Sequence, residues 1–361
     1  MIHMKKLIGL SLFASAGIDE MNLKKCGINI KISNELIPIR AKVHEFWHPD
    51  CEMICGDITN SKIKSEIIKK SITKKVDFIL ATPPCQGVSL IGKNKSNSDM
   101  IKDTRNFLIF HVFDIIDAIH PKIVVFENVD RFLDMRFPFE NGLYNIEYII
   151  RKKYGSQFSI NVNVYNAMYY GVPQSRKRTI IVMTTKNYIF TEPKKQKIIT
   201  VREAIGSLPS LEAGQKSNIK NHNARNHIKA HIICMQHTPT GHSAFENKIY
   251  FPKKKNGERL KGYLATYKRI EWDKPAPTIT MRNDAISSQS NVHPGRLLPN
   301  GLYSDARVLT LRELFILSSM NPDLDVPSFA SDIQIRSMVG EAVPPKLMEA
   351  ICKNIKERKN A

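Results

Sequence analysis

Short apolar runs recur through the first half of the chain, and between them apolar positions return every three or four residues. The runs at 7–13, 28–33, 52–55, 76–81, 122–127, 159–164 and 179–184 read as strands, because brief apolar stretches between polar ones suit a sheet buried on both faces. The segments 17–25, 38–46, 62–70, 105–119 and 143–153 carry the helical period. This alternation predicts an α/β fold: a doubly wound, mainly parallel sheet with helices on both faces.

The rhythm stops after Thr185. Glu192-Pro193-Lys194-Lys195-Gln196-Lys197 reads as a linker, and the next hundred or so residues are rich in His, Asn, Lys and Gly with few apolar runs. Helical patterns return at 310–319 and 346–356. The expected organisation is a main domain over 1–190, a smaller insert over 191–305, and a segment over 306–361 that folds back onto the first.

Composition adds a partner class. The 361 residues are 42% hydrophobic and 24% charged, as in an ordinary soluble globular protein. Lys and Arg number 54 against 34 Asp and Glu, and the resulting charge of +20 points to a polyanion or an acidic surface. Six cysteines at 26, 51, 55, 85, 234 and 352 show no framework spacing, which suits a reducing cytoplasm. No run approaches the roughly 18 apolar residues of a membrane helix, so no membrane association is expected. Residues 4–16 imitate a secretory signal but fit a first strand and turn as well, and the strand is preferred.

Cys85 follows the run 76–81, at the carboxyl end of a buried strand, where open α/β sheets do their chemistry. Pro83 and Pro84 restrict the backbone ahead of it. A thiol so fixed reads as a nucleophile, against the alternative of an inert core cysteine. Two groups have metal-ligand residue types: His44-x3-His48-x2-Cys51-x3-Cys55 and His227-x3-His231-x2-Cys234-x2-His237. Neither has the paired C-x2-C spacing of a firm zinc site, and no metal is expected.

Several further motifs stand in order: Phe13-Ala14-Ser15-Ala16-Gly17, Asn34-Glu35, Gly56-Asp57-Ile58, Pro83-Pro84-Cys85-Gln86, Asp103-Thr104-Arg105-Asn106 ahead of Leu108, and Phe126-Glu127-Asn128-Val129. Gln174-Ser175-Arg176-Lys177-Arg178, Arg307-x-Leu309-Thr310-x-Arg312-Glu313 and Gly340-Glu341-Ala342-Val343-Pro344 follow. The series resembles the cytosine-5 DNA methyltransferases of bacterial restriction–modification systems. It departs from the family pattern at Ser15, where glycine is usual, and at Glu341, where asparagine is usual.

The resemblance implies an S-adenosylmethionine-dependent methyltransferase fold with an inserted target-recognition domain. It implies a pocket for S-adenosylmethionine at Phe13, Ala14, Ser15, Gly17, Ile18, Glu35, Leu36, Asp57, Ile58, Pro83, Leu108, Ala342 and Val343. In it Glu35 takes the ribose diol, Asp57 the adenine amino group and Ile58 the adenine ring. Cys85 would add to carbon 6 of a flipped-out cytosine, so that carbon 5 accepts the methyl group. Glu127 would hold the ring at nitrogen 3 and the amino group, Arg176 would orient the base, and Arg178 would support Glu127. Gln86 completes the catalytic set and opens a mobile loop reaching Asp103. Lys253, Lys254, Lys255, Arg269, Arg282 and Asn283 are the expected DNA contacts, lysines for phosphates and Arg or Asn for base edges. The implied partners are double-stranded DNA and a cognate restriction endonuclease acting on the same site, with the chain a nucleoid-associated monomer. Two rivals remain: a tRNA cytosine-5 methyltransferase and a catalytically silent DNA-binding regulator. The basic insert and the missing Cys-Phe-Thr motif disfavour the first, and the retained Cys85, Glu127 and Arg176 disfavour the second.

Overall fold

Seven of the apolar runs form one sheet. The strands are β1 (Leu7–Leu12), β2 (Ile28–Glu35), β3 (Glu52–Cys55), β4 (Phe78–Ala81) and β5 (Ile123–Val129), then a short hairpin β6 (Phe137–Phe139) and β7 (Gly142–Tyr144), then β8 (Ser159–Asn166) and β9 (Lys177–Thr184). The sheet order is β3-β2-β1-β4-β5-β9-β8. The first five pair in parallel, and β9 runs antiparallel to both neighbours. Strand order reverses between β1 and β4, which opens a crevice at their carboxyl ends. The computed structural model describes residues 6–84 and 107–358.

Burial explains the sequence pattern. Leu10, Leu12, Ile79, Val124, Phe126 and Ile181 are covered on both faces, whereas β8 at the edge keeps mixed polar positions. Helices α1 (Pro38–Trp47), α2 (Ser61–Lys74), α3 (Leu108–Ile119) and α4 (Ile146–Tyr154) follow β2, β3, β4 and the short hairpin. Pro38 starts α1, while Asn60 and Asn145 cap α2 and α4 through their side chains.

Three expectations change. Residues 17–25 form turns and a single short 3-10 turn at Leu23–Cys26 rather than a helix. The left-handed φ of Phe13 (61°), Ser15 (46°) and Gly17 (69°) breaks the helical path before it begins. Leu143 belongs to β7, so α4 starts at Ile146. The last helix, α9 (Pro345–Cys352), ends early, because Ile355–Glu357 (β11) pairs antiparallel with β10 (Tyr188–Phe190). Satisfying that strand's backbone outweighs continuing the helix.

The chain divides into two compact units. The first takes Met1–Asn166, Lys177–Lys194 and Met348–Ala361, the second Ala167–Arg176 and Lys195–Leu347. The second unit has short helices, α5 (Val201–Ile205), α6 (Lys229–Gln236), α7 (Leu311–Leu317) and α8 (Asp332–Glu341), joined by long irregular segments. Its core includes Met235, Ala244, Tyr267, Ile286, Val292 and Val308. Irregular backbone leaves buried carbonyls without ladder partners, and a buried arginine supplies five donors at once. Arg269 accordingly donates to the carbonyls of Met235, His293, Ser304 and Asp305.

Candidate active site

The carboxyl ends of β1 to β5 are tied into one polar network. Asn34 Nδ2 donates to Ile54 O at 2.8 Å and Gly56 O at 3.0 Å. Glu35 is buried, and its carboxylate accepts Ser15 N at 2.9 Å and Ile37 N at 2.8 Å. Thr82 Oγ1 donates to Phe13 O at 3.1 Å, and Asn128 Nδ2 to Pro83 O at 2.9 Å. The Phe13–Ser15–Gly17 turn, Glu35, the Gly56-Asp57-Ile58 segment and Pro83 therefore share one end of the sheet. Asp57 is exposed and accepts Thr59 N at 2.8 Å, while Ile18 and Ile58 are buried and Leu36 is exposed. Ala14 is buried, and Leu108 opens α3 half-buried. A carboxylate that accepts two amides has lone pairs left, so Glu35 can still take hydroxyl donors. Ala342 and Val343 lie in the second unit, half-buried and buried.

Glu127 is buried near the end of β5. Arg178 on β9 places Nε 2.8 Å from Glu127 Oε1, diagonally across the antiparallel pair in which Glu127 faces Ile180. Arg178 is thus paired with Glu127. Arg176 sits in the second unit, where its guanidinium donates to Ile279 O at 2.8 Å, Gly340 O at 3.0 Å and Glu341 O at 2.8 Å. Gly340 is required there: a Cβ would come within 2.1 Å of Thr280 O. Cys85, Gln86 and the loop to Asp103 lie outside the described residues.

Two expected base readers are corrected. Arg269 is fully buried and occupied by carbonyls, and Asn283 is buried with Nδ2 on Thr280 O and Arg336 O. Their polar atoms complete irregular backbone instead of facing outward. Arg282 keeps its side chain 86% exposed, and Lys253, Lys254 and Lys255 are exposed around a tight turn closed by Gly257 N on Lys254 O at 3.0 Å.

The histidine–cysteine spacing also resolves differently. His44 and His48 meet Glu20, and among the described residues this is the one group with ligand atoms within 4.8 Å of one another. Cys51 instead contacts Ser33 Oγ at 3.2 Å, and Cys55 is exposed. Sequence reasoning missed Asn34, Thr82 and Asn128 as the ties of the network. Their signal is a polar residue at or just past the end of an apolar run.

A family model described as C-5 cytosine-specific DNA methylase matches residues 7–357. The chain belongs to this family. It is 46% identical over 351 residues to the Type II methyltransferase M1.HgaI of Avibacterium volantium, covering 97% of this chain and 98% of that one. The Type II methyltransferase M1.HphI of Haemophilus parahaemolyticus is 29% identical over 358 residues, covering 98% and 88%. The solved methyltransferase EhMeth of Entamoeba histolytica shares the fold, with a TM-score of 0.64 at 16% identity over 96% of this chain and 97% of that one. The chain is accordingly a cytosine-5 DNA methyltransferase, its substrate is DNA, and the family's chemistry requires a methyl donor.

Proposed function

We propose that this chain methylates carbon 5 of a cytosine in one specific duplex sequence, with S-adenosylmethionine as donor, as the modification partner of a restriction endonuclease. The observation that carries the site reading is the hydrogen bond from Asn128 to Pro83 O, 2.9 Å long. It ties the residue after Glu127 to Pro83, just past the carboxyl end of β4, and Pro83 stands two positions before Cys85 in the sequence, which supports reading acid and nucleophile as parts of one site.

The donor reading fits the residues present. Glu35 is a carboxylate with spare lone pairs at the end of β2, and Asp57 is an exposed carboxylate just past β3. When bound, S-adenosylmethionine supplies an electrophilic methyl group on a sulfonium. The chain's own residues do the rest. Cys85 as thiolate adds to carbon 6, which makes carbon 5 nucleophilic. Glu127, oriented by Arg178, binds nitrogen 3 and the exocyclic amino group as negative charge enters the ring. After methyl transfer the proton on carbon 5 leaves and the thiolate is eliminated, which restores the enzyme. Arg176, committed to three carbonyls, is read as a tie within the second unit. The chain acts as a monomer on nucleoid DNA.

The test is trapping on a duplex carrying 5-fluorocytosine. Fluorine blocks the loss from carbon 5, so the wild type should form a complex that survives denaturing electrophoresis, and Cys85→Ser should form none while still binding DNA. Methylation surviving in Cys85→Ser would remove the covalent mechanism.

A further inference from the structure

We propose that His48, His44 and Glu20 clamp the turn at Gly17 and act as positioning residues for the methyl donor. This rests on the reading of the Phe13–Ser15–Gly17 turn as donor-binding backbone. The chain leaves β1 through three left-handed residues in five, and two of them, Phe13 at 61° and Ser15 at 46°, are not glycine. Left-handed backbone is costly for a residue that carries a Cβ, so the turn needs support from outside itself.

Support comes from two sides. Glu35 accepts Ser15 N at 2.9 Å. From the residue that caps the end of α1, His48 Nε2 donates to Gly17 O at 2.9 Å, which also fixes that ring's tautomer. The imidazoles of His44 and His48 lie 4.7 Å apart, close against Gly17. A Cβ on Gly17 would stand 2.6 Å from His48 Nε2 and 2.7 Å from His44 Cδ2. Glu20, buried on the far side of the turn, meets His44 Nε2 at 3.2 Å. Burial holds His48 below its ordinary pKa, with Glu20 opposing and His44 and Lys24 reinforcing the shift. The ring is therefore neutral at physiological pH, and its single N–H is the one on Gly17.

The same three side chains have ligand types for a metal ion. Hydrogen bonding accounts for them better. A metal-bound histidine donates its other ring N–H to an acceptor, whereas His44 Nδ1 is buried without a partner. Both Glu20 oxygens already face His44 Nε2.

The experiment measures S-adenosylmethionine affinity by calorimetry, and KM and kcat by methyl transfer, on the full chain. His48→Ala should weaken donor binding about tenfold, the scale of one lost buried hydrogen bond, and raise the donor KM far more than it lowers kcat. His48→Gln, which keeps a side-chain N–H, should recover most of the loss. Gly17→Ala should cost less in the His48→Ala background than alone, because one of its two clash partners is gone, while His44 Cδ2 at 2.7 Å and the left-handed φ of 69° keep the rest of the cost. A wild type that binds the donor and a Glu35→Ala that loses it, beside a His48→Ala with wild-type affinity, would overturn the clamp and leave the pocket standing. Failure of His48→Gln to recover anything, or loss of affinity after treatment with a chelator, would overturn it too. No donor affinity in the wild type would remove the pocket and the clamp together.

Discussion

Arg178 and Glu127 meet with little solvent between them: the two side chains are 13% and 10% exposed. Removing one partner of such a pair leaves the other charge buried without that counter-ion, which costs more than the pair itself contributes. Arg178→Met should therefore lower kcat/KM by roughly 10- to 100-fold, mainly through kcat, while DNA and donor binding persist. Single-turnover methylation on a saturating duplex checks this, and an unchanged rate would detach Glu127 from its partner. Both residues were legible in the sequence because each sits in a motif at the edge of an apolar run. Arg269 and Asn283 were misread for a physical reason. A charge in an irregular, polar stretch looks solvated, yet irregular backbone folded into a core needs buried donors, and Arg269 supplies them to four carbonyls.

Elements with strong periodicity were legible to within a few residues: β3 matches its expected bounds and α1 extends its own by one residue. Where tertiary contacts compete, the pattern misled. Residues 17–25 carry a helical period, but left-handed residues and the buried acids Asp19 and Glu20 turn them into a loop. Helix α8 was missed although Ser331 and Gln334 form a capping box, a local signal that needs no long apolar run. The segment ahead of α7 shows a motif doing structural service. Thr310 caps α7 with Glu313, and Arg307 pairs with Glu313 at 2.8 Å and Asp305 at 2.9 Å beside the buried His293. Burial, reinforced by Arg307, lowers the His293 pKa from 6.5 to about 3. Burial opposes ionisation of Glu313, but Arg307 outweighs it and holds that carboxyl at about 2. In both cases the unfolded chain takes up a proton that the folded chain refuses. Stability should therefore fall as pH drops from about 6.5 through the His293 window, and fall again below about 4.5 as unfolded Glu313 protonates. Urea midpoints at pH 7.5, 6.5 and 5.5 should decline, and His293→Gln should flatten that decline. An equal slope in His293→Gln would assign the effect to another group, His227 first among them, since burial lowers it to about 4.

At the scale of the whole molecule, the charge of +20 is the property that bears on DNA, and its distribution decides what each part contributes. Non-specific affinity comes from phosphates, and each cation that neutralises one releases counterions, so it appears in the salt dependence. Lys253, Lys254 and Lys255 are exposed around one turn of the second unit, although Lys254 also pairs with Glu258 at 2.8 Å. Changing all three to Gln should weaken binding to every duplex and reduce the slope of log affinity on log salt by up to about 3. Arg282, with an exposed guanidinium and only a 3.9 Å approach to Asp284, is the base-reading candidate that burial leaves in place. Arg282→Ala should relax discrimination at one base pair by about 1–3 kcal/mol and leave non-specific binding nearly unchanged. The two signatures separate because phosphate binding does not depend on sequence, whereas a hydrogen bond to a base edge forms on the matched duplex alone. Binding curves on matched and single-mismatch duplexes at four salt concentrations would resolve them. Equal losses on matched and mismatched DNA for Arg282→Ala would move base recognition away from this exposed arginine, while the slope change for the lysines would still stand as the phosphate contribution of their turn.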